Sequence, residues 1–375
     1  MPYNVEPAVP ILASSLLYDD SSQVTDREKT EPNLDPSTRW NLKLDMQKGL
    51  HPRAPNEDDI FRPGTVIGFS RLRGRSPEGN EDEFVGELPR HLLTTWLRRT
   101  SPSSPPTKQS NPSQNPQKQA RTRAYIIHPP NSTIFPPARL LSSLLSNSTP
   151  NPIPSPQKPA TLITRKEAIS LLDTVQLFPV FDFAAAVDAI SEVETRLHAI
   201  WQETQSETQT QNHSGDQPET KTVLVIAGLD TLTEAVIRSS NAVRGTAVLT
   251  SLLRTITQMS RMHRGYLSVL LVNTAGVGPS PSLYQAQGRN QRENDTHSGN
   301  GGGSDIQSMF YSDGPLFPSL LMKTLDQGID THLLVSTTAS MTPQQRRNIA
   351  TVVEVVKDRV GCGLGRWYVW DEEAC

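Results

Sequence analysis

The stretch Lys221-Thr-Val-Leu-Val-Ile-Ala-Gly-Leu-Asp230 constrains the fold more than any other part of this chain. From Val223 to Ala227 every residue is apolar, with no alternation between apolar and polar. A strand that needs an apolar side chain at every position is covered on both faces. Such strands belong to parallel sheets flanked by helices. The strand then runs out into a loop at Gly228.

The same logic extends along the chain. Thr65-Val-Ile-Gly-Phe69, Arg123–Ile127, Val175–Phe181, Leu267–Asn273 and Thr331–Ser336 read as further strands. Helical periodicity marks Glu87–Arg99, Pro136–Leu145, Thr164–Leu172 with Thr164 as its cap, Phe183–Trp201, Thr246–Met262 and Leu316–Leu325. Ala350–Val356 and Gly365–Trp370 pair as a terminal hairpin around a glycine-rich turn. The expected fold class is α/β, a mostly parallel sheet flanked by helices with an antiparallel C-terminal edge.

Hydrophobic residues make up only 35% of the 375, and there are 31 prolines, so part of the chain is expected to be linker. Residues 1–55 read as a disordered tail, with Ile11–Tyr18 as a short docking segment, and 56–372 as one domain. Low-complexity insertions fall at about 100–121, 146–159, 203–220 and 285–305. The net charge of −3 gives no global field toward nucleic acid or membrane. Two cysteines, Cys362 and Cys375, exclude a disulfide scaffold and point to a reducing compartment. No signal peptide is evident at the N-terminus, and the longest apolar run, Tyr266–Val272, is far short of a membrane span.

In order and spacing, four places resemble the ATPase core of RecA-type recombinases, and within them the eukaryotic (fungal-type) recombinase paralogues. Phe61-Arg-Pro-Gly-Thr-Val-Ile67 resembles the strand leading into the family's phosphate loop. Ala124-Tyr-Ile-Ile127 followed by Phe135-Pro-Pro-Ala-Arg-Leu140 resembles the strand and helix start after it. Val223–Ala227, Arg244-Gly245 opening a long helix, and Ser268-Val-Leu-Leu-Val-Asn273 resemble the magnesium strand, first DNA loop, helix and next strand. Asp330–Val335 and Val353–Gly361 through Trp370 resemble the closing strands. The resemblance implies a RecA-like P-loop NTPase core from about Phe61 to Trp370.

Against that pattern the catalytic parts are eroded. A phosphate loop needs glycines, free backbone N–H groups and a lysine. The nearest match is Phe69-Ser-Arg-Leu-Arg-Gly74-Arg75-Ser76, in which Gly74 and Ser76 fit, Arg75 replaces the lysine, and Phe69 holds the first glycine position with Gly68 one residue earlier; the acidic run Pro77–Glu83 that follows is a poor helix start. The magnesium aspartate position holds Ala227. Asp230 reaches a metal only if the strand is shifted, and otherwise reads as a helix or turn cap. The position of the catalytic glutamate falls at His128-Pro-Pro130. Phosphoryl transfer needs lysine, metal and a water-orienting group together, so no catalytic residue and no resident cofactor is expected; ATP and magnesium are what an intact site would take.

The resemblance implies two DNA-facing loops, Glu234–Gly245 with Arg238 and Arg244, and Gly276–Pro315 with Arg289 and Arg292, where Tyr284, Phe310 and Tyr311 offer stacking surfaces. No Cys/His grouping suggests a metal site, and no nucleophile elbow suggests a hydrolase. The role implied is a non-catalytic paralogue in homologous-recombination DNA repair in the nucleus. Its partners would be other recombinase paralogues, the recombinase itself and single-stranded DNA. The alternatives are a RecA-like scaffold subunit of another complex such as Elongator, or an atypical DNA-dependent ATPase.

Overall fold

The run at Thr222–Ala227 lies inside an eight-stranded sheet in the computed structural model, which describes residues 42–50, 59–73, 81–100, 123–146, 163–210, 221–278, 306, 308–311, 315–340 and 348–370. The strands are β1 (Val66–Arg71), β2 (Ala124–His128), β3 (Val175–Pro179), β4 (Thr222–Ala227), β5 (Leu267–Val272), β6 (Thr331–Ser340), β7 (Asn348–Asp358) and β8 (Trp367–Trp370). Their order is β3-β2-β4-β5-β1-β6-β7-β8. The first six are parallel, with β4 and β5 in register from Thr222↔Leu267 to Ala227↔Val272. β7 runs antiparallel to β6, and β8 antiparallel to β7, which gives the expected terminal hairpin.

The helices are α1 (Lys43–Lys48), α2 (Glu81–Arg99), α3 (Pro137–Ser146), α4 (Arg165–Leu172), α5 (Phe183–Thr210), α6 (Leu229–Ser239), α7 (Ala242–Met262) and α8 (Leu320–Gln327). α1 to α4 close one face, where Leu92, Trp96, Leu140 and Leu171 pack with Ile67, Phe69, Val225 and Ala227. α5 to α8 close the other, where Ile190, Leu249, Ile256 and Leu325 pack with Val66, Leu224, Ile226 and Leu271. β4 therefore sends Val223, Val225 and Ala227 one way and Leu224 and Ile226 the other. That two-sided burial is why its sequence is apolar throughout.

Several element boundaries differ from expectation, and local chemistry explains most of them. Thr164 caps α4 as expected, in a capping box with Glu167: Glu167 N donates to its hydroxyl, and Thr164 N donates to the Glu167 carboxylate at 2.7 Å. α7 starts at Ala242 rather than Thr246, because the Asn241 side chain accepts from Arg244 N at 2.8 Å. α8 starts at Leu320 rather than Leu316, because Ser319 accepts from Met322 N. α2 begins at Glu81, six residues before the apolar periodicity. α5 continues to Thr210, into a stretch expected to be low-complexity loop, because Gln and Glu propagate helix well. Residues 42–50, placed in the tail by composition, contain α1, with Leu42, Met46 and Leu50 buried in the first core. Ile11–Tyr18 lies outside the described residues.

The α7 cap gives a direct check. Asn241→Ala is expected to cost about 1 kcal/mol of stability through the lost N-terminal hydrogen bond. Urea unfolding measures it, and an unchanged midpoint would refute the assignment.

Candidate functional site

In open α/β sheets ligands bind beyond the C-terminal ends of the parallel strands. β1, β2, β4, β5 and β6 bring their ends to one edge here. Each exit shows what that edge is able to do.

At the β1 exit the chain stays extended. Ser70 and Arg71 are still strand, and Leu72 forms a parallel bridge with Val277. Leu72 N donates to Val335 O at 2.9 Å, Arg73 N to Val277 O at 2.7 Å, and Val277 N to Arg71 O at 2.7 Å. The Arg73 guanidinium is also committed, with Nε donating to Ala275 O at 2.6 Å. A phosphate loop works because its backbone N–H groups are free to point at an anion. At Leu72 and Arg73 those groups are spent on neighbouring strands. Phe69–Arg73, expected as the first half of a degenerate loop, is instead the end of a buried strand and its continuation. Gly74, Arg75 and Ser76 lie outside the described residues. The return of the β5 exit onto β1 depends on Gly276. Its φ is +72°, and a Cβ there would sit 2.9 Å from Arg73 Cγ and 3.4 Å from Arg71 Cγ.

At the β4 exit Ala227 is buried and supplies no carboxylate. Gly228 follows in the left-handed region at φ 74°, where a Cβ would meet the Pro129 ring at 2.8 Å. Asp230 opens α6 and is fully buried. Its carboxylate accepts from Ala275 N and from Thr274 Oγ1 at 3.2 Å. It therefore clamps the β5 exit loop rather than reaching toward a metal. Burial pushes its pKa up, against those same hydrogen bonds. At the β2 exit His128 Nδ1 lies 2.8 Å from Pro129 O, and no carboxylate stands at His128-Pro-Pro130.

A polar cluster under this edge escapes motif reading. Ser70 Oγ lies 2.8 Å from His332 Nε2, and His332 Nδ1 lies 2.9 Å from Asp326 Oδ1. Asn273 Nδ2 donates to Ser70 Oγ at 2.8 Å, and Lys357 Nζ donates to Asp326 Oδ2 at 2.7 Å. Serine, histidine and aspartate in this order are the groups of a nucleophilic triad. Here Ser70 has no exposed surface, and Phe317 stacks on the imidazole with ring centroids 5.3 Å apart. No substrate reaches the hydroxyl, so the cluster is an interior network that joins β1, β6, β7, the β5 exit and the end of α8, and within it Asn273 Oδ1 has no hydrogen-bond partner among the described residues. The Asp326 carboxylate is opposed by its own burial, but its bonds to His332 and Lys357 hold it below the usual aspartate range. Burial lowers Lys357, because one carboxylate does not fully replace its lost water. The sequence signal available was polar residues, Ser70 and His332, beside the apolar runs of their strands.

The Glu234–Gly245 segment, expected as a DNA-facing loop, is helical. Arg238 lies on α6 and is ion-paired with Glu234 one turn earlier at 2.6 Å, and Arg244 lies in the exposed first turn of α7. Arg289, Arg292 and Tyr284 lie outside the described residues. Phe310 packs edge-on to Trp367 at 5.5 Å, and Tyr311 packs against the second core, so both rings are engaged within the fold. Among the described residues there is no group of three or more His, Cys, Asp or Glu able to hold a metal, and no helix long and apolar enough to cross a membrane.

No protein-family model matches the chain, and neither does any curated protein. Among solved structures, a crystal structure of the RadB recombinase is similar at a TM-score of 0.41 and 12% identity, over 84% of this chain and 90% of that one. At that level the likeness carries no weight for the chemistry of the site.

Proposed function

We propose that this chain is a non-catalytic RecA-like protein, a recombinase paralogue that serves as a subunit or mediator in homologous-recombination DNA repair. In this role it acts in the nucleus through other recombinase paralogues or the recombinase itself, and on single-stranded DNA through the helix pair that carries Arg238 and Arg244. The family assignment is supported by the order of the four resembling segments. The non-catalytic part is supported chiefly by the β1 exit, where the amides of Leu72 and Arg73 are bonded to Val335 and Val277. Ala227 and Pro129, standing where the family places its acids, point the same way.

Two measurements test this. Titration of a fluorescent ATP analogue with magnesium into the purified full chain is expected to give no saturable binding, and no phosphate release with or without single-stranded DNA. Stoichiometric binding with turnover would establish an atypical ATPase instead. Affinity purification from the native cell is expected to recover recombinase-type chains. Recovery of tRNA-modifying subunits in their place would assign the fold to an Elongator-like scaffold.

A further inference from the structure

On the face opposite α1 to α4, α7 and the end of α8 enclose a groove of about 460 Å³, within the ordinary range of ligand sites. α7 contributes Thr250, Arg254, Thr257 and Gln258, and α8 ends in it at Gln327 and Gly328. The floor is Leu253, against which Gly328 packs so closely that a Cβ would come within 2.7 Å.

The electrostatics of the groove are one-sided. Among the described residues that line it, Arg254 carries the one formal charge, and α7 contains no acid. The nearby acids are already paired: Asp330 with Arg261 at 2.7 Å, and Asp326 with Lys357 at 2.7 Å. Arg359 Nη1 donates to Gln327 O at the α8 end. Arg254 is exposed and has no ion-pair or hydrogen-bond partner among the described residues. The Thr250 and Thr257 hydroxyls donate back to Thr246 O and Leu253 O, and both side chains line the groove. Gln258 and Gln327 each carry an amide, able both to donate and to accept, as a peptide backbone requires.

We propose that the α7–α8 groove docks an acidic peptide segment of a protein partner. A carboxylate of that segment pairs with Arg254, its backbone bonds Gln258 and Gln327, and an apolar side chain rests on Leu253. Charge complementarity selects this occupant. Nucleic acid fits less well, because no aromatic side chain among the described residues lines the groove for stacking and one unpaired arginine neutralises one phosphate. The proposal does not depend on the recombinase assignment, since it concerns only which peptide the groove accepts.

Selection from a displayed library of random peptides on the purified full chain tests it. The expected peptides carry Asp or Glu close to Leu, Ile or Phe. Arg254→Glu is expected to weaken their binding by about tenfold or more, Arg254→Lys to retain most of it, and Thr257→Arg to block the groove. Thermal melts of each variant confirm that the fold is kept. These sites are exposed or half-buried on the helix surface, so the melts should match the parent. Enriched peptides without acid, binding indifferent to Arg254→Glu and Thr257→Arg, or no enrichment at all would each overturn the proposal. So would a single-stranded oligonucleotide that protects the groove from hydrogen exchange while the selected peptides do not.

Discussion

Asp326→Ala is expected to remove about 3–5 kcal/mol of folding stability, the usual consequence of deleting one partner of a buried ion pair. The carboxylate receives His332 Nδ1 and Lys357 Nζ, and Lys357 also donates to the Asp326 backbone carbonyl. Without it, the Lys357 ammonium remains buried beside Arg359 with a single carbonyl acceptor, and His332 loses the group that fixes its tautomer. Most of the loss comes from the stranded charge. The double variant Asp326→Ala with Lys357→Met should therefore recover a large part of it. Urea unfolding of the two variants against the parent decides the point. A double variant as unstable as the single would refute the account.

The same aspartate sets a pH dependence. Its folded pKa lies below its unfolded one, so its contribution is complete above the unfolded value and is lost as the pH falls below about 4. The parent should lose stability over that range more steeply than the double variant.

Asp230→Ala is expected to cost about 1–3 kcal/mol, because it leaves the Ala275 N–H and the Thr274 hydroxyl without their acceptor at a fully buried position. Asp230→Asn should cost less, since its amide oxygen still accepts from Ala275 N without a buried charge. The sign of the pH effect is opposite to that at Asp326. The folded pKa is raised, so the folded state holds the proton more tightly than the unfolded one. Ionisation therefore opposes folding as the pH rises above about 4, and the advantage of the parent over the asparagine variant shrinks as the pH rises from there. Stability curves of parent, Ala and Asn variants across that range measure this. An Ala variant indistinguishable from the parent would show that the clamp on the β5 exit is not made.

Legibility followed periodicity and burial. β4 and β5 are apolar at nearly every position because helices cover both faces of the sheet, so their type was clear from sequence alone. α4 was legible down to its cap, because Thr164 and Glu167 act within one turn of chain. α6 was not. It begins just after Gly228, whose left-handed backbone turns the chain straight into helix, and its Arg238 and Glu234 looked like loop charges until they paired one turn apart. The extension of β1 through Leu72 was also hidden. It depends on Ala275–Val277, about two hundred residues away, lying alongside.

The local sequence, by itself, determined an α/β protein with a parallel sheet, the positions of most strands and helices, and the absence of an acid at Ala227. These are properties of single residues and of short-range repeats. Tertiary structure decided what the polar residues do. Asp230 became a clamp because the β5 exit loop passes over it, and Ser70, His332 and Asp326 became one network because β1 lies between β5 and β6. The amides of Leu72 and Arg73 were withdrawn from any phosphate because two strands flank them. Each of these outcomes needs a partner distant in sequence, and a polar group's role inside a protein is fixed by its partner.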